Sequence, residues 1–214
     1  LTAHEPFALP DERYSYFSAE FPDARFRNAL RYSDISLRRF FNLASQSRYF
    51  NNTLFVILGD HTIGRGIHNS RDLYHVPCLF YAPNHLSPTR LDNVASQIDI
   101  LPSILDLLNT STLHASFGSS LFASQRSGRA LFSRGEIVGI LDENRLLESD
   151  YEKSIAFYNY RADPQLNYNL LPQENEQAVC LRQDLLAYLQ STFFLLRTNR
   201  LYPSEYWFSD RNVP

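Results

Sequence analysis

Apolar residues recur at spacings of mostly three, four or seven between about Ala24 and Arg48, at Phe26, Leu30, Leu37, Phe40, Phe41 and Ala44. That spacing predicts an amphipathic helix with arginines and serines on its other face. Asn51 and Asn52 close it. Thr53 to Leu58 (TLFVIL) is a continuous apolar run rich in β-formers, and it predicts a strand buried on both faces of a parallel sheet. A second run, His75 to Ala82 (HVPCLFYA), predicts another strand, ended by Pro83-Asn84. Ser96 can cap a helix from about Gln97 to Leu108, with Pro102 accommodated in its first turn. Helix, strand, strand, helix in this order predict an α/β layered domain.

Beyond about Asn109 the pattern changes. A Ser/Thr/Gly-rich stretch over 110–128 predicts a loop. Ala130 to Ser133, Glu136 to Leu141, Arg145 to Glu148 and Ser154 to Tyr160 predict short strands, with Asp142-Glu143-Asn144 as a hairpin turn between the middle two. Asp163-Pro164 begins a polar connector, and Glu174 to Leu196 predicts a closing helix. The expected organisation is an α/β part over 1–109 and a C-terminal subdomain over 110–214, with a small antiparallel sheet and a terminal helix.

Composition narrows the function classes. Hydrophobic residues make up 44% and charged residues 20% of the chain, which is ordinary for a soluble globular protein. A net charge of −3 gives no reason to expect a nucleic-acid partner. No apolar run approaches the roughly 18 to 20 residues of a membrane-spanning helix. The chain begins at Leu1 and contains no methionine, so it is expected to be a piece of a longer protein. Cys78 and Cys180 lie in no C-x-x-C spacing, so neither a zinc ribbon nor a redox motif is supported. Cys78, inside an apolar run, reads as a small core hydrophobe. A Cys78–Cys180 disulfide would require an oxidising compartment.

Candidate chemistry centres on Asp60 and His61, which follow the first predicted strand at once. In open α/β sheets ligands bind outside the carboxyl ends of strands. An acid and an imidazole there can converge on one ion, offering a hard oxygen and a borderline nitrogen that Zn²⁺ or Mn²⁺ accepts. The alternative is that Asp60 caps a turn and His61 packs beside it. His68 lies in the following loop and can return to the same edge, whereas His4 joins only if the fold brings it in. His75, His85 and His114 have no such context and read as surface or core residues.

The segment Phe55-Val-Ile-Leu-Gly-Asp-His61, with His68-Asn69 after it, resembles the metal-binding segment of lipoteichoic acid synthases and related phosphoglycerol transferases, within the sulfatase and alkaline phosphatase superfamily. Val76 to Pro83 looks like the next strand of that family, and Ala95 to Leu108 resembles its succeeding helix. Thr2-Ala3-His4-Glu5-Pro6-Phe7 is similar to its T-x-H-x-P-F segment. The matches cover roughly residues 1 to 108 in order. More loosely, Tyr158 to Pro164 is reminiscent of the sulfatase-type C-terminal region. The resemblance implies part of a sulfatase/alkaline-phosphatase-like sheet flanked by helices.

Carried over residue by residue, the resemblance implies that Asp60 and His61 ligate a divalent ion, manganese foremost with zinc or magnesium also suited. It implies that His4 and His68 bind substrate at the phosphate or leaving group. In the family the remaining acidic ligand and a nucleophilic threonine come from earlier in the chain, and no segment here matches either. Half an active site is expected, so the missing N-terminal half of the catalytic domain is an expected partner. The implied activity is phosphoglycerol-type transfer or phosphodiester cleavage through a covalent phospho-threonine, on a phosphoglycerol-bearing lipid or glycan. The implied location is the periplasmic or extracellular face of a membrane, with the parent protein anchored by upstream helices. A sulfuric ester hydrolase or phosphoethanolamine transferase of the same superfamily is one alternative, although no C-x-P-S-R segment occurs. A catalytically inactive folded module is another.

Overall fold

The computed structural model describes residues 3–64, 66–67, 69–124, 126, 128–173 and 176–201. Two compact units share the chain: one comprises Leu1–Gly59 with Pro77–Pro88, the other Asp60–Val76 with Thr89–Pro214.

In the first unit, helix α1 spans Ala24–Ala44, and strands β1 (Phe55–Leu58) and β2 (Cys78–Tyr81) pair with each other. The end of α1 packs on the strands through rings, Phe41 lying 5.5 Å from Tyr81 and 5.2 Å from Phe55 between centroids. Near its start, buried Asn28 accepts hydrogen bonds from the Tyr16 and Phe17 amides and donates to the Phe17 carbonyl. One amide side chain thus holds the preceding loop against the helix.

Three expectations need correction here. The β1–β2 pair is antiparallel, with Phe55 opposite Tyr81 and Leu58 opposite Cys78. It is also only half covered within its unit, Leu58 and Leu79 being exposed. A continuous apolar run reports that both strand faces are apolar, and it carries no information on the neighbour's direction. Cys78 is exposed rather than a core residue, because it stands at the open start of β2, where Leu79 on the opposite face is exposed too, and both cysteines are free thiols. The α1 stripe is largely uncovered too: Leu30, Leu37 and Phe40 are exposed, and burial falls on Ala24, Asn28, Ala29 and Ala44.

In the second unit a four-residue helix, α2 (Ser70–Leu73), precedes α3 (Ile100–Leu107). A short 3₁₀ turn over Gln97–Asp99 leads into α3, and Ser96 and Asp99 form a capping box there. Four antiparallel strands follow: β3 (Ala130–Arg134), β4 (Ile137–Leu141), β5 (Leu146–Ser149) and β6 (Ser154–Tyr158), in the order β3-β4-β5-β6. Helix α4 (Glu176–Arg197) closes the fold.

Strand alternation gives this sheet two apolar faces. Val138, Ile140, Leu147 and Phe157 pack on Ala178, Leu181 and Leu185 of α4, whose spacings of three and four put them on one stripe. Phe132, Leu146 and Tyr160 point the other way, and Tyr74, just after α2, packs on them. The sheet therefore sits between α4 and the chain segment that follows β1. No helix among the described residues is long and apolar enough to cross a membrane.

Candidate functional site

The site is built at the end of β1. The Gly59 amide donates to the Pro77 carbonyl (3.0 Å), extending the ladder one residue past the strand before the chain turns out. Asp60 and His61 come next, with side chains 90% and 64% exposed, open to an incoming ion. Asp60 Oδ1 accepts from the His61 amide (2.9 Å), which orients the carboxylate over its neighbour. The Asp60 carbonyl accepts from Gln97 Nε2 (3.1 Å).

His61 Nδ1 lies 2.7 Å from the Thr62 carbonyl oxygen. A carbonyl only accepts, so this contact calls for a proton on Nδ1, and in the neutral ring that leaves Nε2 as the nitrogen with the lone pair. That nitrogen is 3.8 Å from Asp60 Oδ2. Two donors bound at about 2.0–2.1 Å to one ion lie no farther than about 4.2 Å apart. The 3.8 Å separation therefore lies within the span that a single divalent cation can bridge.

Behind the pair the loop is tied back on itself and onto the sheet. The Thr62 hydroxyl donates to the Leu73 carbonyl (2.5 Å). Asn69 caps α2 by accepting from the Asp72 amide (2.9 Å). The Ser70 hydroxyl donates to the Glu148 carboxylate of β5. Tyr74 stacks on Phe132 of β3, with centroids 4.7 Å and planes 25° apart, and its hydroxyl donates to the Ser133 carbonyl (2.7 Å). Burial raises the Tyr74 phenol, with Arg134 opposing and Glu148 adding to the shift.

The 3₁₀ turn that carries Gln97 ends in a buried ion pair. Asp99 is 2.5 Å from Arg126 Nη2, both side chains being only 3% exposed. Its carboxylate also accepts from the Ser96 amide (2.7 Å) and the Ser119 amide (2.9 Å). Asp99 thus joins the start of α3 to the 110–128 loop.

Of the sequence-predicted site residues, the structure brings Asp60 and His61 together. His4 belongs to the other unit, exposed, with Nδ1 3.0 Å from the Glu5 carbonyl. His68 lies outside the described residues, and Asn69 beside it is the α2 cap. Among the described residues, no three histidine, cysteine or acidic side chains are gathered as a metal cluster. Sequence reasoning missed Thr62, Gln97, Glu148 and the Asp99–Arg126 pair. The Ser96–Asp99 capping pattern was a visible signal for Asp99. The others carry no local signature.

Residues 2–110 match the family described as Sulfatase. The chain is 24% identical over 162 residues to the lipoteichoic acid synthase-like protein YvgJ of Bacillus subtilis (strain 168), covering 64% of this chain and 26% of that protein. It is 25% identical over 158 residues to lipoteichoic acid synthase 1 of the same organism, covering 64% of this chain and 24% of that one. The crystal structure of a protein in the alkaline phosphatase superfamily from Vibrio parahaemolyticus superposes with a TM-score of 0.77 at 23% identity, over 95% of this chain and 49% of that one. The fold is thus of the alkaline phosphatase and sulfatase type. The chain spans about a quarter of the length of the two Bacillus proteins and about half of the solved one.

Proposed function

The chain belongs to the sulfatase family, and on that premise we propose that Asp60 and His61 are two ligands of the catalytic divalent ion in a phosphoglycerol-type transferase or phosphodiester-cleaving enzyme. The observation that carries this reading is the 3.8 Å separation of His61 Nε2 from Asp60 Oδ2, with the His61 proton held on Nδ1. Manganese is the first choice, and zinc and magnesium also suit one carboxylate and one imidazole. Such an ion supplies Lewis-acid polarisation of a phosphoryl oxygen and lowers the pKa of a bound hydroxyl.

The chain's own residues have narrower roles. Asp60 and His61 hold the ion at the strand end. His4 and His68 contact the substrate phosphate or the departing oxygen, where an imidazole donates a hydrogen bond to developing charge. The nucleophile in this reading is a threonine, and one further acidic ligand completes the ion's protein donors. The substrate is a phosphoglycerol-bearing lipid or glycan, and the site faces the outside of a cell membrane. Both Bacillus relatives bear lipoteichoic acid synthase names, which supports phosphate over sulfate ester chemistry.

Calorimetric titration of the 214-residue chain with Mn²⁺ tests the assignment. Weak binding that Asp60→Ala removes is expected. Mn²⁺ binding of equal strength in wild type and Asp60→Ala would exclude Asp60 as a ligand.

A further inference from the structure

We propose that Thr62 is a positioning residue for the Asp60–His61 pair: its carbonyl sets the His61 tautomer, while its hydroxyl fastens that turn to Leu73 and, through Ser70 and Tyr74, to the four-stranded sheet. The inference rests on the metal reading above and adds what holds the pair in its ligating form.

A neutral imidazole can carry its proton on either nitrogen, and the partner of one nitrogen decides the matter. For Nε2 to face Asp60 as a donor atom, Nδ1 must be kept protonated by an acceptor. The Thr62 carbonyl is that acceptor at 2.7 Å. Its position depends on the orientation of a peptide unit in a loop where Gly64 and Gly66 both have φ of +70°. Those glycines leave the segment conformationally permissive, so local backbone preference does not hold the Thr62 carbonyl in place.

The cross-loop bond does. Thr62 Oγ1 donates to the Leu73 carbonyl at 2.5 Å, and Leu73 ends a helical turn fixed at several points. Asn69 caps that turn, Ser70 is bound by Glu148, Arg71 lies over the Tyr160 ring (5.4 Å), and Tyr74 is stacked on Phe132. Glu148 and Phe132 stand on β5 and β3, separated by β4, so the turn is seated across the sheet rather than on one strand. A relay of named contacts runs from the antiparallel sheet to a ring nitrogen of the candidate metal ligand. Partners that orient a ligating histidine typically change metal affinity 10- to 100-fold when removed.

The experiment reads the ring directly. In the metal-free chain at neutral pH, ¹⁵N spectra of His61 should report protonated Nδ1 in the wild type and in Thr62→Ser. Thr62→Val keeps the side-chain shape without the donor, and should shift the ring toward the Nε2-protonated form. It should also weaken Mn²⁺ binding about 10- to 100-fold, with Thr62→Ser close to wild type. Glu148→Ala, which cuts the anchorage at the sheet, should move both readings the same way by less. A role limited to loop stability would lower the melting temperature without changing the tautomer.

Wild-type ring signals in Thr62→Val overturn the assignment, and so does wild-type Mn²⁺ affinity in that variant when Asp60→Ala has lost it. Movement of neither reading in Glu148→Ala overturns the relay from the sheet. If Mn²⁺ affinity is insensitive to Asp60→Ala while the tautomer still follows Thr62, the metal reading fails and the positioning of His61 stands.

Discussion

The ring of Phe132 occupies the space above Gly139, its cross-strand partner: a Cβ built on Gly139 would come within 2.1 Å of Phe132 Cζ. Tyr74 stacks on the same ring, so glycine, phenylalanine and tyrosine form a column from β4 through β3 to the segment after α2. A ring covering a strand glycine is a known way to restore packing where the glycine offers none.

Gly139→Ala should therefore act beyond its own strand. The added methyl must displace Phe132, and Phe132 cannot yield without moving Tyr74. Overpacking of this kind costs about 1–3 kcal/mol, read as a lowered melting temperature. Gly139→Ala combined with Phe132→Leu should recover part of the loss, because the shorter side chain vacates the column. A double variant no more stable than Gly139→Ala would place the strain elsewhere.

The Asp99–Arg126 pair should be among the most sensitive points of the second unit. Removing one partner of a buried ion pair leaves an uncompensated charge, at a cost of about 3–5 kcal/mol. Arg126→Met should therefore destabilise strongly, and Asp99→Asn/Arg126→Met should be less harmful than Arg126→Met alone. Asp99 shares its 3₁₀ turn with Gln97, which bonds the Asp60 carbonyl, so Arg126→Met should also weaken Mn²⁺ binding. Thermal melts and calorimetry on the two variants and the wild type decide both points.

The parts legible in the sequence were those whose pattern is local. The spacing of Ala178, Leu181 and Leu185 marks the α4 stripe, and Asp142-Glu143-Asn144 marks the β4–β5 turn. Asp60 and His61 were legible because a buried-type strand precedes them and a family resemblance surrounds them. Helix α2 was not, since four residues are too short to show a period. The Asp99–Arg126 pair spans 27 residues and the Ser70–Glu148 bond spans 78, so neither leaves a trace in local spacing. Exposure on α1 and β2 was misjudged for a related reason: apolar periodicity tells which face wants cover, and Leu37, Phe40 and Leu79 remain open within their unit.

In the first unit, Asn28 offers a clean separation of donor and acceptor roles. Its oxygen accepts from two amides and its nitrogen donates to the Phe17 carbonyl, at 2.8–2.9 Å. Asn28→Ala strands all three backbone groups, and an unsatisfied buried group costs about 1–3 kcal/mol. Asn28→Asp keeps both acceptor contacts and loses the donor. It should fall between wild type and Asn28→Ala in melting temperature, and hydrogen exchange at the Tyr16 and Phe17 amides should accelerate only in Asn28→Ala.

Alkaline pH provides the last test, through Tyr74, Tyr158 and Tyr160. Burial is the leading cause that raises each phenol above its ordinary value. Glu148 and Asp163 add to it at Tyr158, and Arg161 opposes it at Tyr160. A raised folded value means the folded chain keeps protons that the unfolded chain has already lost. The unfolded phenols release theirs near pH 10. Above that point the unfolded state binds fewer protons than the folded one, so stability falls as pH rises. The stabilisation is fully present below about pH 10 and is lost as pH climbs through the raised values. The Cys78 thiol, raised by partial desolvation although the residue is open to solvent, loses its proton in an adjoining range, so the measurement belongs in a Cys78→Ser background. There the melting temperature should hold level up to about pH 9 and decline beyond about pH 10. Tyr158→Phe has no phenol to ionise at that position and should show the shallower decline. An equal slope in both proteins would remove Tyr158 from the alkaline transition.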